Sequence, residues 1–486
     1  MKLPTTLGYL GLAAVLLASA PAFSQSFRVQ CPETGTNLHP TVLDKNNKPT
    51  KVPKAGYPGS VKCQEVGGTD GYATMGDGHQ IYLFGFAPLS GLGDNTATVP
   101  VDGILTGQPG TQTPDVFTST TDTRRARIEP ADIMNTGVLY ANAPAPLIMI
   151  DEDDELFLTL SNVGMIMRPD LFEQHTIHFH GYPNASSFFD GVPDASVAIN
   201  IAGSFTYYYT APDAGTYFWH CHIAPPEHLQ MGMVGQLYVR PRQNRLTSSD
   251  LLRTALIAAN QRAAVDPSAA GIGCSDILCT GQTPAPVVDT GAFGGGKYAY
   301  NDGDGSTRYD VEYPIQIMGF DPNFHYVGMT FNPESFADMK DKYFTLNGRS
   351  YPDTVNPGAI STLDSDGTSR PSQPIPALIT INKTGGQTRA LLRLSNLSVT
   401  EFSTLATVGI PMTVIADNAR LLRDMAGNNL YYDTNSITIG GGESTDVILD
   451  ATNTPTGKYF LYSTNLDHLS NDAENFGGMM TEIVVQ

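Results

Sequence analysis

The chain has 486 residues, of which 41% are apolar and 16% are charged, with 48 glycines and 34 prolines. This length exceeds that of a usual single domain, and the turn-rich composition favours many short strands over helical bundles. The formal net charge of −20 at pH 7 argues against nucleic-acid or phosphate binding, which depends on clustered basic residues, because an acidic surface attracts cationic partners or metal ions instead.

The first 22 residues predict a secretory signal peptide. Lys2 supplies a positive charge, residues 7–20 form an apolar run, and Ala20-Pro21-Ala22 is a small-x-small cleavage site. The apolar run is shorter than a bilayer span, which makes a membrane anchor the weaker alternative, and the remaining sequence predicts no membrane span. We therefore expect a periplasmic or secreted protein, with residues 23–60 as an irregular N-terminal arm.

The five cysteines are odd in number. In an oxidising compartment, Cys31 with Cys63 and Cys274 with Cys279 are candidate disulfides, although the sequence does not fix the pairing. Cys221 is then the cysteine that remains for another purpose.

Segments rich in β-branched and aromatic residues, each bounded by turns, predict an all-β fold. They include IYLFGF (81–86), LFLTLSN (156–162), TYFWHCH (216–222), ALLRLSN (390–396) and KYFLYS (458–463). Helical periodicity is convincing only at 250–264.

Four segments recur in the same order, which indicates an internal duplication. The matched pairs are IYLFGFAP (81–88) with IQIMGFDP (315–322), LTLSNV (158–163) with LRLSNL (392–397), HFHGYP (178–183) with ATVGIP (406–411), and AGTYFWHCH (214–222) with TGKYFLYST (456–464). We therefore predict two homologous β-sandwich domains at 61–245 and 313–486. A Gly/Pro-rich connector at 246–312, with one short helix, joins them.

Six of the ten histidines lie in two motifs, HTIHFHG (175–181) and HCHIAPPEHLQMGM (220–233). Alternate residues of a strand point to opposite faces, so His220 and His222 project to one side and Cys221 to the other. His178 and His180 have the same relation to each other. Two such strands side by side would present four imidazoles on one surface.

On the opposite side, Cys221 would meet His175 and His228. A thiolate and two imidazoles, with Met233 as a weak axial ligand, form the ligand set of a blue-copper site. Met231 competes with Met233 for the axial position. A structural zinc site is the alternative, but such sites usually recruit more cysteines or a C-x-x-C pair. The motifs therefore predict two adjoining metal sites that are connected through the backbone of Cys221.

The two motifs resemble those of the multicopper oxidases of the cupredoxin superfamily, whose members carry an HPxHLHG-like motif followed by HCHIxxHxxxGM. The resemblance implies two cupredoxin-like Greek-key β-sandwich domains and an oxidoreductase that uses copper. Its donor would be a phenol, a metal ion or a protein, and its acceptor dioxygen. The implied type-1 copper ligands are His175, Cys221, His228 and the axial Met233. The implied cluster ligands are His178 for type-2 copper and His180, His220 and His222 for type-3 copper. Electrons would pass from Cys221 to His220 and His222.

The chain departs from the family pattern in its second repeat. The complete family cluster needs eight histidines, of which this chain supplies four. Ser403, Ala406 and Val408 stand where the first repeat has His175, His178 and His180, and Tyr462, Ser463 and Thr464 stand where it has His220, Cys221 and His222. We therefore predict that the second sandwich lacks copper ligands and that His468 is an ordinary surface histidine.

Three arrangements of the four histidines remain open. A homo-oligomer would bring the histidine faces of two copies together, or one chain would hold a single copper there. In the third arrangement the face stays empty, and the protein is a blue-copper electron carrier without oxygen chemistry. Retention of all four histidines beside Cys221 favours the first two arrangements, in which the protein is an enzyme. Six residues separate Cys221 from His228, against four in the family pattern, and Glu227 in this longer loop is predicted to be solvated.

Overall fold

The computed structural model describes residues 61–89, 130–245 and 297–486, apart from short gaps at 153, 182–185, 212, 303–304, 330–334 and 425–427. The predicted signal peptide, N-terminal arm and helix at 250–264 lie outside the described residues, as do Cys31, Cys274, Cys279 and the side chain of Cys63. The described residues form mostly strands and turns, so the all-β prediction is confirmed. The domain boundaries stay predictions.

The first sandwich consists of two four-stranded sheets. Its strands are β1 (Val61–Thr74), β2 (Gln80–Pro88), β3 (Ile148–Asp151), β4 (Glu155–Gly164), β5 (His178–His180), β6 (Ser204–Thr210), β7 (Gly215–His220) and β8 (Val234–Arg240). One sheet has the order β2-β1-β4-β6 and the other the order β3-β8-β7-β5. The pairs β1/β4 and β3/β8 are parallel, and the other pairs are antiparallel.

The second sandwich is larger. Its strands are β9 (Val311–Phe320), β10 (Tyr343–Leu346), β11 (Ile360–Leu363), β12 (Ser369–Gln373), β13 (Ile379–Ile381), β14 (Arg389–Asn396), β15 (Ser403–Thr407), β16 (Met412–Asp417), β17 (Arg420–Leu421), β18 (Tyr432–Thr434), β19 (Ser436–Ile439), β20 (Ser444–Asp450), β21 (Gly457–Ser463) and β22 (Met480–Val485). One sheet has the order β10-β9-β14-β20-β16-β17, with β18 on β16, and the other the order β13-β22-β21-β15-β19. The strands β11 and β12 form a separate hairpin.

Within the described residues, three short α-helices connect the strands: α1 (Pro130–Gly137), α2 (Pro225–Gln230) and α3 (Pro322–Met329). Single 3₁₀ turns occur at Ser187–Phe189, Arg242–Arg245, Phe336–Asp338, Asp353–Val355 and Leu466–Leu469. Each α-helix begins with proline, whose fixed φ and missing N–H suit the first turn of a helix. None of the described helices has the length and apolarity that crossing a bilayer requires.

The two sandwiches share one strand order. The series β10-β9-β14-β20 repeats β2-β1-β4-β6, and β13-β22-β21-β15 repeats β3-β8-β7-β5. The predicted match of 81–88 with 315–322 is therefore wrong. β9 pairs in parallel with β14 as β1 does with β4, whereas β2 is an edge strand. Both segments are apolar and bounded by turns, so local composition does not distinguish an edge strand from its neighbour.

The strand β7 is buried on both of its faces. Tyr217 and Trp219 point into the core of the first sandwich, while Phe218 packs in a cluster shared with the second. On that second face, Ser444 Oγ donates to the carbonyl oxygen of Thr216 at 2.6 Å. Because side chains alternate along a strand, His220 also projects to the side that faces the second sandwich.

Buried charges hold the same interface. Glu312 accepts hydrogen bonds from Nε of Arg240 at 2.8 Å and from Nε of Arg393 at 2.9 Å. Burial alone would raise the pKa of Glu312, but the two guanidinium groups lower it to about 2. Removing Glu312 would leave two buried guanidinium groups without their shared carboxylate, which is strongly destabilising.

Candidate metal centre

The side chains of Cys221, His175 and His228 converge inside the first sandwich. Sγ of Cys221 lies 3.8 Å from Nδ1 of His175 and 3.2 Å from Nδ1 of His228. All three residues are fully buried, and their ligand atoms lie within 4.8 Å of one another. We call this group, together with Met233, the cysteine site.

Local packing places the two histidines. The backbone of His175 exchanges two hydrogen bonds with Ile199, at 3.1 and 3.0 Å. Gly68 in β1 lets the imidazole of His175 approach the strand, because a Cβ there would lie 2.5 Å from Cδ2 of the ring. His228 is carried by α2, and the ring of Phe84 meets its ring edge-on at 5.9 Å.

Both candidate axial methionines are buried in the same core. The N–H of Met233 donates to the carbonyl oxygen of His228 at 2.8 Å, and its carbonyl oxygen accepts from the N–H of Cys221 at 3.1 Å. The carbonyl oxygen of Met231 accepts from the N–H of Phe84 in β2 at 3.1 Å. The backbone therefore ties Met233 to two members of the cysteine site.

The electrostatics of the cysteine site stabilise a thiolate. Burial alone would raise the pKa of the Cys221 thiol, but His228 and His175 lower it well below its usual value. Burial likewise opposes protonation of His228, but the thiolate and Glu173 raise its pKa to about 10. Among the described residues, Nε2 of His175 and Nε2 of His228 have no hydrogen-bond partner. A buried thiolate faced by two imidazole nitrogens is a donor set suited to copper.

A second group of histidines lies between β5 and β7, where His178 is the cross-strand partner of His220. The ligand atoms of His178, His180 and His220 lie within 4.8 Å of one another, and Nε2 of His180 is 2.9 Å from Nε2 of His220. The ring of His222 lies 5.0 Å from that of His178 and 5.6 Å from that of His220. We call these four residues the histidine cluster.

The cluster is prepared to bind a cation. Burial lowers the pKa of His220 to about 3 and that of His180 to about 4, so both rings are neutral at pH 7. Nδ1 of His178 lies 2.7 Å from the carbonyl oxygen of Asp190, and Nδ1 of His220 lies 2.7 Å from that of Cys221. A ring nitrogen that donates to a carbonyl fixes the tautomer and leaves the other nitrogen for a metal.

The second sandwich contains an unexpected counterpart of the cysteine site. The cross-strand pair Ala406 and Tyr462 repeats the pair His178 and His220, which places Ser463 at the position of Cys221. Nδ1 of His468 lies 3.2 Å from Oγ of Ser463, as Nδ1 of His228 lies 3.2 Å from Sγ of Cys221. Met479 then corresponds to Met233.

The backbone repeats the same connections. Met479 receives a hydrogen bond from the N–H of Ser463 at 2.9 Å and donates to the carbonyl oxygen of His468 at 2.8 Å. We call Ser403, Ser463, His468 and Met479 the serine site. The prediction that the ligand positions of the second repeat are stripped is therefore incomplete, because the equivalents of one histidine and of the methionine remain.

The prediction that His468 is a surface histidine is wrong. Its exposed fraction is 2%, its ring stacks on Phe344 at 3.9 Å, and Nε2 lies 2.8 Å from a carboxylate oxygen of Glu401. The order Ser463, His468 and Glu401 has the composition of a hydrolytic triad. However, Ser463 is fully buried, so its hydroxyl is not exposed to a substrate.

Sequence reasoning missed one acidic residue at each site. Oε2 of Glu173 lies 3.7 Å from Nε2 of His228, and Glu401 holds the equivalent place beside His468. Each glutamate stands two residues before the first ligand position, Glu173 before His175 and Glu401 before Ser403, so the repeat contained the signal. Glu227, which was predicted to be solvated, is half-buried, and burial raises its pKa.

Comparison with known proteins places this architecture. Two family models, each described as "Multicopper oxidase", match residues 123–244 and residues 337–485, and together they cover more than half of the chain. The chain belongs to the multicopper oxidase family. Both groups of candidate ligands in the first sandwich fit copper.

Curated relatives match over a limited region. The chain is 34% identical over 104 residues to "Laccase abr2" of Aspergillus fumigatus, covering 21% of this chain and 16% of that protein. It is 31% identical over 107 residues to "Multicopper oxidase MmcO" of Mycobacterium tuberculosis, covering 22% and 20%. The matched region thus spans about a fifth or less of each relative's length.

Solved structures match over most of the chain. "Blue Copper Oxidase from Nitrosomonas europaea" aligns with a TM-score of 0.50 and 18% identity, covering 87% of this chain and 86% of that one. "Multicopper Oxidase mgLAC" aligns with a TM-score of 0.50 and 16% identity, covering 88% and 86%. This likeness supports the predicted fold of two cupredoxin-like sandwiches.

Proposed function

We propose that this chain is an oxidase that accepts single electrons from a donor at the cysteine site and delivers them to dioxygen at the histidine cluster. One observation carries the proposal, which is the double attachment of Cys221. Its sulfur belongs to the cysteine site, and its carbonyl oxygen lies 2.7 Å from Nδ1 of His220 in the histidine cluster. Copper bound at these residues would supply the one-electron chemistry.

Cys221 gives the two sites their shortest connection. It is bonded covalently to His220 and His222, so the sulfur and both imidazoles belong to three consecutive residues. The hydrogen bond from His220 Nδ1 adds a second contact and orients that ring. His220 and His222 are therefore the residues through which electrons leave Cys221.

The donor is a phenol, a metal ion or a redox protein. His228 is fully buried, and the carboxylate of Glu173, 28% exposed, lies beside its outer nitrogen. Together with the net charge of −20, this carboxylate favours donors that are cationic or that release a proton on oxidation.

The histidine cluster is incomplete by the family standard, and a homo-oligomer would complete it. His178, His180 and His222 are only partly buried, so the cluster remains accessible to a second copy. Gly442 of the second sandwich borders it, since a Cβ there would lie 3.6 Å from Nδ1 of His180.

The leader-like residues 1–22 support export, so we propose a periplasmic or secreted enzyme that acquires copper outside the cytoplasm.

A blue-copper electron carrier is the second candidate function. Among the described residues, the histidines outside the two sites are His79, His325 and His468, which lie apart from the cluster. A chain that works as a monomer would then hold the cysteine site and only part of an oxygen-reducing centre.

Metal content, the visible spectrum and oxygen uptake separate the two candidates. The oxidase binds more than one copper per chain and consumes oxygen with a phenol or ferrous ion as donor. The carrier binds one copper per chain, is blue and consumes no oxygen. A colourless protein that contains zinc contradicts both candidates, and native mass measured in the same preparation tests the oligomer.

A further inference from the structure

The segment that carries His228 is held by a histidine from outside the first sandwich. His325 in α3 is buried, with Nδ1 2.5 Å from the carbonyl oxygen of Tyr82 and Nε2 2.9 Å from that of Gln230. Gln230 ends α2, two residues beyond His228. Tyr82 lies in β2, two residues before Phe84, whose ring packs against His228. His325 therefore bridges α2, which carries His228, and β2, which carries the Phe84 ring that packs against His228.

A carboxylate holds the side chain of the same glutamine. Nε2 of Gln230 donates to Oδ1 of Asp341 at 2.8 Å, and Oδ2 of Asp341 accepts a hydrogen bond from Thr400. Gln230 is 1% exposed. Both the backbone and the side chain of Gln230 are thus anchored in the part of the chain that builds the second sandwich.

Simple packing does not require a histidine at position 325. Its ring meets Phe320 edge-on at 5.2 Å, and an apolar side chain would fill this space without the cost of burying a polar ring. Burial lowers the pKa of His325 to about 4. A neutral ring donates its one proton to one of the two carbonyl groups, and only a protonated ring donates to both. The polar contacts are what a histidine provides here.

We propose that His325 is a positioning residue for the cysteine site, which fixes α2 against β2 and thereby sets the separation of His228 from Cys221. The inference rests on the proposed function, because it assumes that these residues bind copper. It assigns the second sandwich a role in the copper chemistry of the first. Groups that orient metal ligands from behind typically contribute 10- to 100-fold to metal affinity or activity.

The test compares copper binding and the blue absorption band in three variants of the full chain. His325→Leu removes both polar contacts, and His325→Gln keeps an amide that donates to a carbonyl group. Gln236→Met is the matched control, because Gln236 also joins the two sandwiches, through Arg393 and Ser395, but lies in β8 outside the segment of His228. Apo-protein is titrated with Cu²⁺, and its thermal unfolding is recorded separately.

We expect His325→Leu to bind Cu²⁺ about tenfold more weakly, with a shifted blue band, and His325→Gln to recover most of the affinity. Gln236→Met should retain the wild-type band and affinity. If His325→Leu does not fold, His325→Phe keeps an aromatic ring beside Phe320 and removes both polar contacts, with the same expected loss of about tenfold.

Wild-type affinity and spectrum in folded His325→Leu, or in His325→Phe where His325→Leu does not fold, would overturn the inference. An equal loss in Gln236→Met would overturn it as well. A wild-type protein that binds no copper would contradict the proposed function itself, so the two failures are distinguishable.

Discussion

The cysteine site and the serine site occupy the same place in two copies of one fold. In both, Nδ1 of a histidine lies 3.2 Å from the sulfur of Cys221 or the hydroxyl oxygen of Ser463. The backbone of a buried methionine is hydrogen-bonded to that histidine and to that cysteine or serine. A glutamate stands behind the outer histidine nitrogen in both. The first copy has a thiol and a second imidazole, and the second copy has two hydroxyl groups. We therefore attribute copper binding at the first site to these two side chains, and the remaining geometry to the shared fold.

The largest expected effect comes from making the first site resemble the second. Cys221→Ser should abolish the intense blue band and electron entry, because a hydroxyl does not replace a thiolate as copper ligand. The matched control is Ser463→Ala at the equivalent position, which should leave the band unchanged. Visible absorption and circular dichroism check both variants, and a blue band that survives in folded Cys221→Ser would show that the ligand assignment is wrong.

The second sandwich has no imidazoles at Ala406 and Tyr462, the positions equivalent to His178 and His220. Changing the histidine cluster is expected to give the next largest effect. His180→Ala should lower oxygen uptake by at least about a hundredfold, since loss of a ligand exceeds the cost of losing its outer partners. The blue band should remain. His79→Ala, at an exposed histidine beside Asp77, is the control. Unchanged oxygen uptake in His180→Ala would contradict a role of the cluster in oxygen reduction.

The reverse experiment rebuilds copper binding in the second sandwich. Ser403→His combined with Ser463→Cys would complete a set with His468 and Met479, so we expect one additional copper per chain and a stronger blue band. Metal analysis and absorbance measure both quantities. Ser403→His alone, which lacks the thiolate, is the control. A folded double variant without additional copper would show that the cysteine site and the serine site differ in more than these side chains.

A smaller effect concerns the contact between the two sandwiches. Burial raises the pKa of Asp341 to about 6, from its ordinary value of 3.8. The folded chain therefore holds this proton more tightly than the unfolded chain, and stability falls as pH rises from about 4 to 6. Asp341→Asn should stabilise the protein above pH 6 by roughly 1–3 kcal/mol and have little effect below pH 4. Unfolding at both pH values tests this, and an equal effect at both would contradict it.

The alternation of His220, Cys221 and His222 allowed both metal groups to be predicted from sequence. The period of two is a local property of an extended chain, and the structure places the sulfur in one group and the imidazoles in the other. The serine site was recognised only in part from the sequence. The repeat placed Ser463 at the position of Cys221, but it did not identify His468 and Met479, because ten residues separate these two, whereas four separate His228 from Met233. Its identity depends on backbone pairing across strands.

The strand order shows a similar limit. Apolar composition identified the strands β2 and β9, but β9 pairs in parallel with the distant strand β14, whereas β2, among the described strands, pairs only with β1 at the edge of its sheet. Such long-range pairing leaves no local signal. His325 also contacts residues that are far away in sequence, Tyr82 at 243 residues and Gln230 at 95 residues. A lone histidine in a short helix gives no indication of them.

The central claim is that copper binds in the first sandwich at two sites joined through Cys221, and that the equivalent serine site in the second sandwich does not bind it. Anomalous diffraction at the copper edge, on crystals of the copper-loaded protein, tests this most directly. The account predicts one peak between Cys221, His175 and His228, another among the histidines of β5 and β7, and none beside Ser463. A peak at Ser463, or none at Cys221, would contradict it.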